Sequence, residues 1–184
     1  RHHRRRLVVP VAASMPHPKR VYAHRGAAIE LPENTMQSFE RALGYGVDAL
    51  EMDVHLSADG RIVVAHDASG KRMCNVRRKL RDCSYDDIRS WDAGWGFRDA
   101  TGHRPFAGQG FYLPLFEEVL DAFPDPVINV DLKADSRALA DAMMRLLRDR
   151  GEEERVILAS FSHKNLLRLR HGGYRGMTAL PKAE

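Results

Sequence analysis

The chain has 184 residues, of which 43% are hydrophobic, 29% charged and 8% aromatic, which places it among ordinary globular proteins and outside the disordered, collagenous and disulfide-scaffold classes. Its net charge of +4 arises in the first twenty residues, where Arg1, Arg4, Arg5, Arg6, Lys19 and Arg20 stand without an acid; setting these six aside leaves 23 cations against 25 anions, which argues against a nucleic-acid-binding body. No apolar run approaches the ~20 residues of a membrane span, and Cys74 and Cys83 fit neither a zinc site nor a disulfide framework, so they read as reduced thiols of a cytoplasmic protein.

Residues 1–19 are expected to form a disordered basic extension. The basic stretch 1–6 followed by the apolar stretch 7–13 resembles a weak secretory signal, but its apolar part is short and broken by Pro10. From residue 20 onward one α/β domain is expected. A first strand over 21–23 ends at His24-Arg25-Gly26, where imidazole, guanidinium and a flexible backbone sit together at a strand's C-terminal edge. Parallel α/β folds place their sites there. Taken alone, such a histidine also fits a structural role. Asn34 and Thr35 are good caps for a helix carrying Phe39, Ala42 and Leu43, with Gly44 and Gly46 as stops.

The next strand, 49–56, places Leu50, Met52, Val54 and Leu56 on one face and Glu51, Asp53 and His55 on the other. Two settings fit it: the interior of a parallel barrel, where the acids need partners or a metal, or an edge hairpin with one wet face. Only residues 57–60 lead to the following strand, 61–65, too few for a parallel crossover, and Asp59-Gly60 is a favoured two-residue hairpin turn. With those two as the loop, Ala58 pairs with Arg61 and Asp53 lies opposite His66 on the same face; a three-residue loop with a bulge breaks that register. The polar, glycine-punctuated stretch of about 67–113, with a short helical piece over 85–91, reads as an insertion at the rim of the core domain.

A strand over 127–132 repeats the earlier pattern, with Ile128, Val130 and Leu132 on one side and Asn129, Asp131 and Lys133 on the other. Glu51, Asp53 and Asp131 converging from separate strands repel one another without a cation, and oxygen-only ligands suit Mg²⁺ or Ca²⁺. Lys133 beside them favours a phosphate oxygen. Ser136 caps a helix carrying Leu139, Ala140, Met143, Leu146 and Leu147 that stops at Gly151. A strand over 156–161, a helix opened by Ser162 and halted at Gly172-Gly173, and a weak strand over 177–180 complete the alternation, which implies parallel strands with crossover helices.

Taken in order, Ala23-His24-Arg25-Gly26, Pro32-Glu33-Asn34-Thr35, Glu51-Met52-Asp53-Val54 with the Asp59-Gly60 turn, and His66-Asp67 resemble the glycerophosphodiester phosphodiesterase family. The likeness continues through Trp91-Asp92-Ala93-Gly94, residues 114–120 and 129–133, and Ser160-Phe161, over roughly residues 20–180. It implies a distorted (β/α)₈ barrel with an insertion after the early strands, and hydrolysis of a glycerophosphodiester to sn-glycerol 3-phosphate and an alcohol with one divalent cation. By position, Glu51, Asp53 and Asp131 match metal ligands, His24 and His66 the acid/base pair, and Arg25 and Lys133 phosphate contacts.

Three departures from the family pattern stand out. Asp131 replaces the usual glutamate. Arg72-Met73-Cys74-Asn75 replaces an Arg-Thr-Thr stretch. The sequence stops at Glu184, before the late Trp-Thr and Thr-Asp segments, so the barrel is expected to be incomplete. A noncatalytic phosphate-binding domain or inert fragment of the family is therefore the alternative reading. The sequence leaves the alcohol, the metal and the oligomeric state open.

Overall fold

The computed structural model describes residues 20–180, so the basic extension and its signal-like segment lie outside the described residues. The alternation of pattern along the chain becomes β1 (Tyr22–His24), α1 (Met36–Gly44), β2 (Ala49–Leu56), β3 (Ile62–Val64), α2 (Lys71–Cys74), α3 (Tyr85–Arg89), α4 (Phe116–Ala122), β4 (Val127–Leu132), α5 (Arg137–Arg150), β5 (Val156–Ala159), α6 (His163–His171) and β6 (Thr178–Ala179). Caps set several boundaries. Thr35, Ser136 and Ser162 accept the amide hydrogens of Ser38, Leu139 and Asn165 at the starts of α1, α5 and α6, and Gly151 ends α5 in the left-handed conformation.

The five parallel strands lie side by side in chain order, β1-β2-β4-β5-β6, as consecutive strands of a (β/α) barrel do, while β3 folds back antiparallel onto the far end of β2. The result is an α/β fold in which β2 is central, bordered by β1 and β3 on one side and β4 on the other; the edge-hairpin setting is thereby removed. Among the described residues the sheet is open, with β1 and β6 at its ends. Leu50, Met52, Val54, Ile128, Val130, Leu132 and Leu158 face the helices, where Phe39, Phe116, Leu120, Leu139, Met143 and Leu147 complete the main core. No helix of the described residues is long and apolar enough to cross a membrane.

Two expectations are corrected. The hairpin register is offset by one: Val54 pairs with Val64 and Leu56 with Ile62, so Asp53 lies opposite Ala65 rather than His66. The loop has three residues, 58–60, because Ser57 closes it against Arg61 through backbone and hydroxyl bonds of 2.9 Å, and Gly60 takes the left-handed conformation, φ 77°, that the accompanying bulge requires. Asp59, expected as one of only two loop residues, instead fastens the loop by accepting from the Ser57 hydroxyl at 2.6 Å and from the Tyr85 amide at 3.0 Å.

The segment read as a polar insertion contains a second core of its own. Met73, Cys74, Leu80, Cys83, Ile88, Trp91, Phe111 and Leu113 pack with Val63 of β3. Their spacing follows short helices and turns, so no single period marks them in the sequence. Both cysteines are buried free thiols.

Candidate functional site

Parallel register sorts the polar side chains into rows. His24, Glu51, Asn129 and Ile157 stand abreast on one face of the sheet, and Asp53, Asp131 and Ala159 form the next row toward the strands' C-terminal ends. The second row is dry: Asp53 is 1% exposed and Asp131 4%. Acids in that position need partners. Asp53 receives three, the Asn34 amide at 2.9 Å, the Lys133 ammonium at 3.0 Å and the Arg25 guanidinium at 3.2 Å. Lys133 also reaches Asp131 at 2.7 Å, so one ammonium bridges two carboxylates.

The turn after β1 explains how Arg25 gets there. Arg25 has φ 58° and Gly26 φ 82°, two successive left-handed residues that reverse the chain sharply. A Cβ on Gly26 would fall 2.8 Å from the Ser38 backbone carbon, so only glycine lets the turn lie on α1. In this conformation the Arg25 amide donates to the Glu51 side chain at 3.0 Å and to the Glu51 carbonyl at 3.0 Å. His24 remains largely exposed, with Nε2 3.9 Å from Glu51.

His66 follows β3, on the same side of β2 as β1. Its carbonyl accepts from His55 Nε2 at 2.9 Å, and its Nδ1 lies 2.7 Å from Asp67 Oδ1. Burial pushes the Asp67 carboxyl up, but bonds from Arg72 and His66 outweigh it and hold the group at about 2. An ionised carboxylate only accepts hydrogen bonds, so Nδ1 of His66 carries hydrogen and the basic lone pair of the neutral ring is on Nε2. Arg72 grips Asp67 at 2.8 and 3.0 Å and Glu33 at 2.6 and 3.1 Å. Glu33 in turn lies 3.6 Å from Arg25. Carboxylates and guanidinium groups thus link the loop after β1 to the loop after β3.

The structure therefore gathers Arg25, Asp53, Asp131 and Lys133 in direct contact, and sets His24 beside Glu51. Among the described residues His66 makes no direct contact with the three carboxylates. Sequence reasoning missed Asn34, Glu33, Asp67 and Arg72 as site residues. Asn34 was read as a helix cap; its left-handed φ of 56° turns its amide to Asp53 instead. Glu33, Asn34 and Asp67 stood within the motifs that carry the family resemblance, which was the available signal, and Arg72 stood inside a segment read as a departure.

Whether these groups suit a divalent cation rests on three observations. Burial, reinforced by the Asp53 charge and opposed by Arg25, raises Glu51 to about 7. Burial also raises Asp131, against the pull of Lys133. Asp131 Oδ1 and Asn129 Oδ1 are buried acceptors with no hydrogen-bond partner among the described residues. Buried oxygen acceptors left without a donor are hard ligands of the kind that suits Mg²⁺ or Ca²⁺. As placed, however, no three His, Cys, Asp or Glu side chains among the described residues are close enough to hold an ion, and the cation between Asp53 and Asp131 is the Lys133 ammonium.

Comparison with known proteins gives the setting. The sequence profile of the Glycerophosphoryl diester phosphodiesterase family matches residues 24–172. Protein YqiK of Bacillus subtilis, itself uncharacterised, is 35% identical over 152 residues, 80% of this chain and 60% of its own length. A glycerophosphodiester phosphodiesterase of Bacillus altitudinis is 33% identical over 153 residues, with the same 80% and 60% coverage. Among solved structures, the glycerophosphodiester phosphodiesterase of Agrobacterium tumefaciens superposes with a TM-score of 0.75 at 27% identity, over 86% of this chain and 65% of that one. The chain thus spans about 60% of the length of these two curated relatives.

Proposed function

The chain belongs to the glycerophosphoryl diester phosphodiesterase family, and from that membership together with the site we propose that it hydrolyses a glycerophosphodiester to sn-glycerol 3-phosphate and an alcohol. The observation that supports this reading is that two partly exposed imidazoles, His24 at the end of β1 and His66 just after β3, lie on the two segments that flank β2, whose Asp53 belongs to the buried cluster of acids and cations. A phosphodiester is anionic and repels nucleophiles. Arg25 and Lys133 are the residues that would meet its nonbridging oxygens, where charge grows in the transition state.

Hydrolysis forms one P–O bond and breaks another. One imidazole takes the proton of the attacking water and the other gives a proton to the departing alkoxide; where the substrate's own glycerol hydroxyl attacks first, it expels the alcohol to leave a cyclic phosphodiester, which water then opens to glycerol 3-phosphate. Each transfer is worth ~10²- to 10⁴-fold. His66, with hydrogen fixed on Nδ1 by Asp67, offers Nε2 for one of these steps, and the exposed His24 serves the other. Glu51, Asp53 and Asp131 are the residues that would hold a divalent cation, which supplies Lewis-acid stabilisation of the phosphoryl oxygens. Asn34 keeps Asp53 in position.

The test is turnover of glycerophosphoglycerol, a diester with a neutral alcohol, with Mg²⁺ or Ca²⁺ present. His24→Ala and His66→Ala are expected to lower kcat by roughly 10²- to 10⁴-fold with an unchanged circular dichroism spectrum; near-full activity in either variant removes that histidine from the mechanism. Chelation is expected to abolish turnover, and indifference to chelator removes the cation.

The Lys133 bridge favours a second reading, a domain that binds phosphate esters without turning them over, because the position between Asp53 and Asp131 is already neutralised. Calorimetric binding of glycerol 3-phosphate by a chain that releases no product selects this reading.

A further inference from the structure

Beside Lys133 a cleft of about 550 Å³ opens toward solvent, within the ~300–1,000 Å³ range of small-molecule sites. Its walls come from three parts of the chain: His55 and Ser57 at the end of β2, Lys133 and Asp135 after β4, and Lys79 and Arg81 from the insertion. Lys133 belongs to both the cleft and the carboxylate cluster, so a phosphodiester bound at Lys133 directs one of its two ester arms into this space. We propose that the cleft receives the leaving alcohol and selects alcohols that carry an anionic group, such as a second phosphate. This rests on the phosphodiesterase reading above.

The charges decide the sign of the selection. Lys79 is exposed and has no acidic partner among the described residues, and Arg81 has only Asp82, at 3.8 Å, with both side chains well over half exposed. The single acid of the lining, Asp135, is already engaged by Arg168 at 2.5 Å and by Lys164 at 3.8 Å. Lys133 is divided between Asp53 and Asp131 at the inner end. The outer cleft is therefore cationic. Among the described residues no Phe, Tyr or Trp lines it, the Phe161 ring 5.6 Å from Lys133 standing outside the lining, so the cleft lacks the ring faces that recognise a quaternary ammonium such as choline. A cationic alcohol is repelled there, and an anionic one finds Lys79 and the loosely paired, exposed Arg81.

Three diesters sharing the same glycerophosphate half test this, with glycerol, choline and glycerol 3-phosphate as the alcohol. At low salt the expected order of kcat/KM is anionic, then neutral, then cationic, with about tenfold between the first two, shrinking as added salt screens the cleft. Lys79→Glu combined with Arg81→Glu is expected to remove the anionic preference while leaving the neutral diester within about twofold, since neither residue belongs to the catalytic cluster. A variant that changes all three substrates equally, or none, overturns the proposal. Turnover of the neutral diester reports separately on the phosphodiesterase reading. If none of the three is hydrolysed, that reading fails, and the order of calorimetric Kd values for the same three diesters decides whether the cleft prefers anions; equal Kd values overturn it.

Discussion

His66 is held by one ring nitrogen, and the strength of that hold comes from residues outside the imidazole. Arg72 keeps Asp67 ionised and in place, and Asp67 keeps hydrogen on Nδ1. Asp67→Asn preserves shape but lets the amide donate instead of accept, which admits the other tautomer. We expect kcat to fall roughly tenfold or more, with ¹⁵N chemical shifts of His66 showing Nδ1 losing its hydrogen; unchanged shifts would show that Asp67 has no positioning role. The same carboxylate carries a pH signature. Its folded pKa of about 2 lies below the ordinary 3.8, so its contribution is fully present above pH 3.8 and disappears as pH falls through 2. Urea titrations across that window should show a shallower acid loss in Asp67→Asn, by at most about 2 kcal/mol. Cys74 lies at the opposite extreme: burial pushes its thiol up to about 12. It should resist a disulfide reagent at pH 8 until the protein unfolds.

The elements were legible wherever period and punctuation agree. β2 and β4 fall where alternation places them, and α5 runs from the residue after Ser136 to the residue before Gly151. Its buried face, including Leu139, Met143 and Leu147, makes Leu139→Ala a loss of about 2–5 kcal/mol in chemical denaturation. The β2–β3 turn was less legible because Asp-Gly serves two-residue and three-residue loops alike, and the choice rested on the Ser57 hydroxyl and on Tyr85, 26 residues away. Glycine substitutions separate the turns. Both Gly26 and Gly60 have positive φ, but a Cβ on Gly60 meets nothing within 4 Å, whereas one on Gly26 collides with the Ser38 backbone at 2.8 Å. Gly60→Ala is expected to cost about 1–2 kcal/mol and Gly26→Ala clearly more, with loss of the Arg25 contacts; equal costs would mean that the β1 turn relaxes freely.

At the scale of the molecule, five parallel strands in chain order place every polar row on one face and most of the helix-packed apolar side chains on the other. The strained carboxylates are therefore a property of the assembled sheet, and so is any gain from neutralising them. If Glu51, Asp53 and Asp131 take up a divalent cation, Mg²⁺ or Ca²⁺ at a hundred times its Kd should stabilise the fold by about 2.7 kcal/mol. The thermal midpoint should rise accordingly, and the rise should vanish in Asp131→Asn. A midpoint indifferent to both ions would leave Lys133 as the cation of the site.

The chain's own pattern determined the α/β class, the faces of β2 and β4, the caps of three helices and the identity of the charged groups, because these depend on contacts within a few residues or on a period of two. The tertiary structure alone decided the hairpin register, the second core beneath the insertion, and the partnership of Asn34 with Asp53 and of Arg72 with both Glu33 and Asp67. Those contacts join segments 19 and 39 residues apart in two of the cases. No local periodicity encodes such pairs, since their geometry exists only once the strands have taken their places.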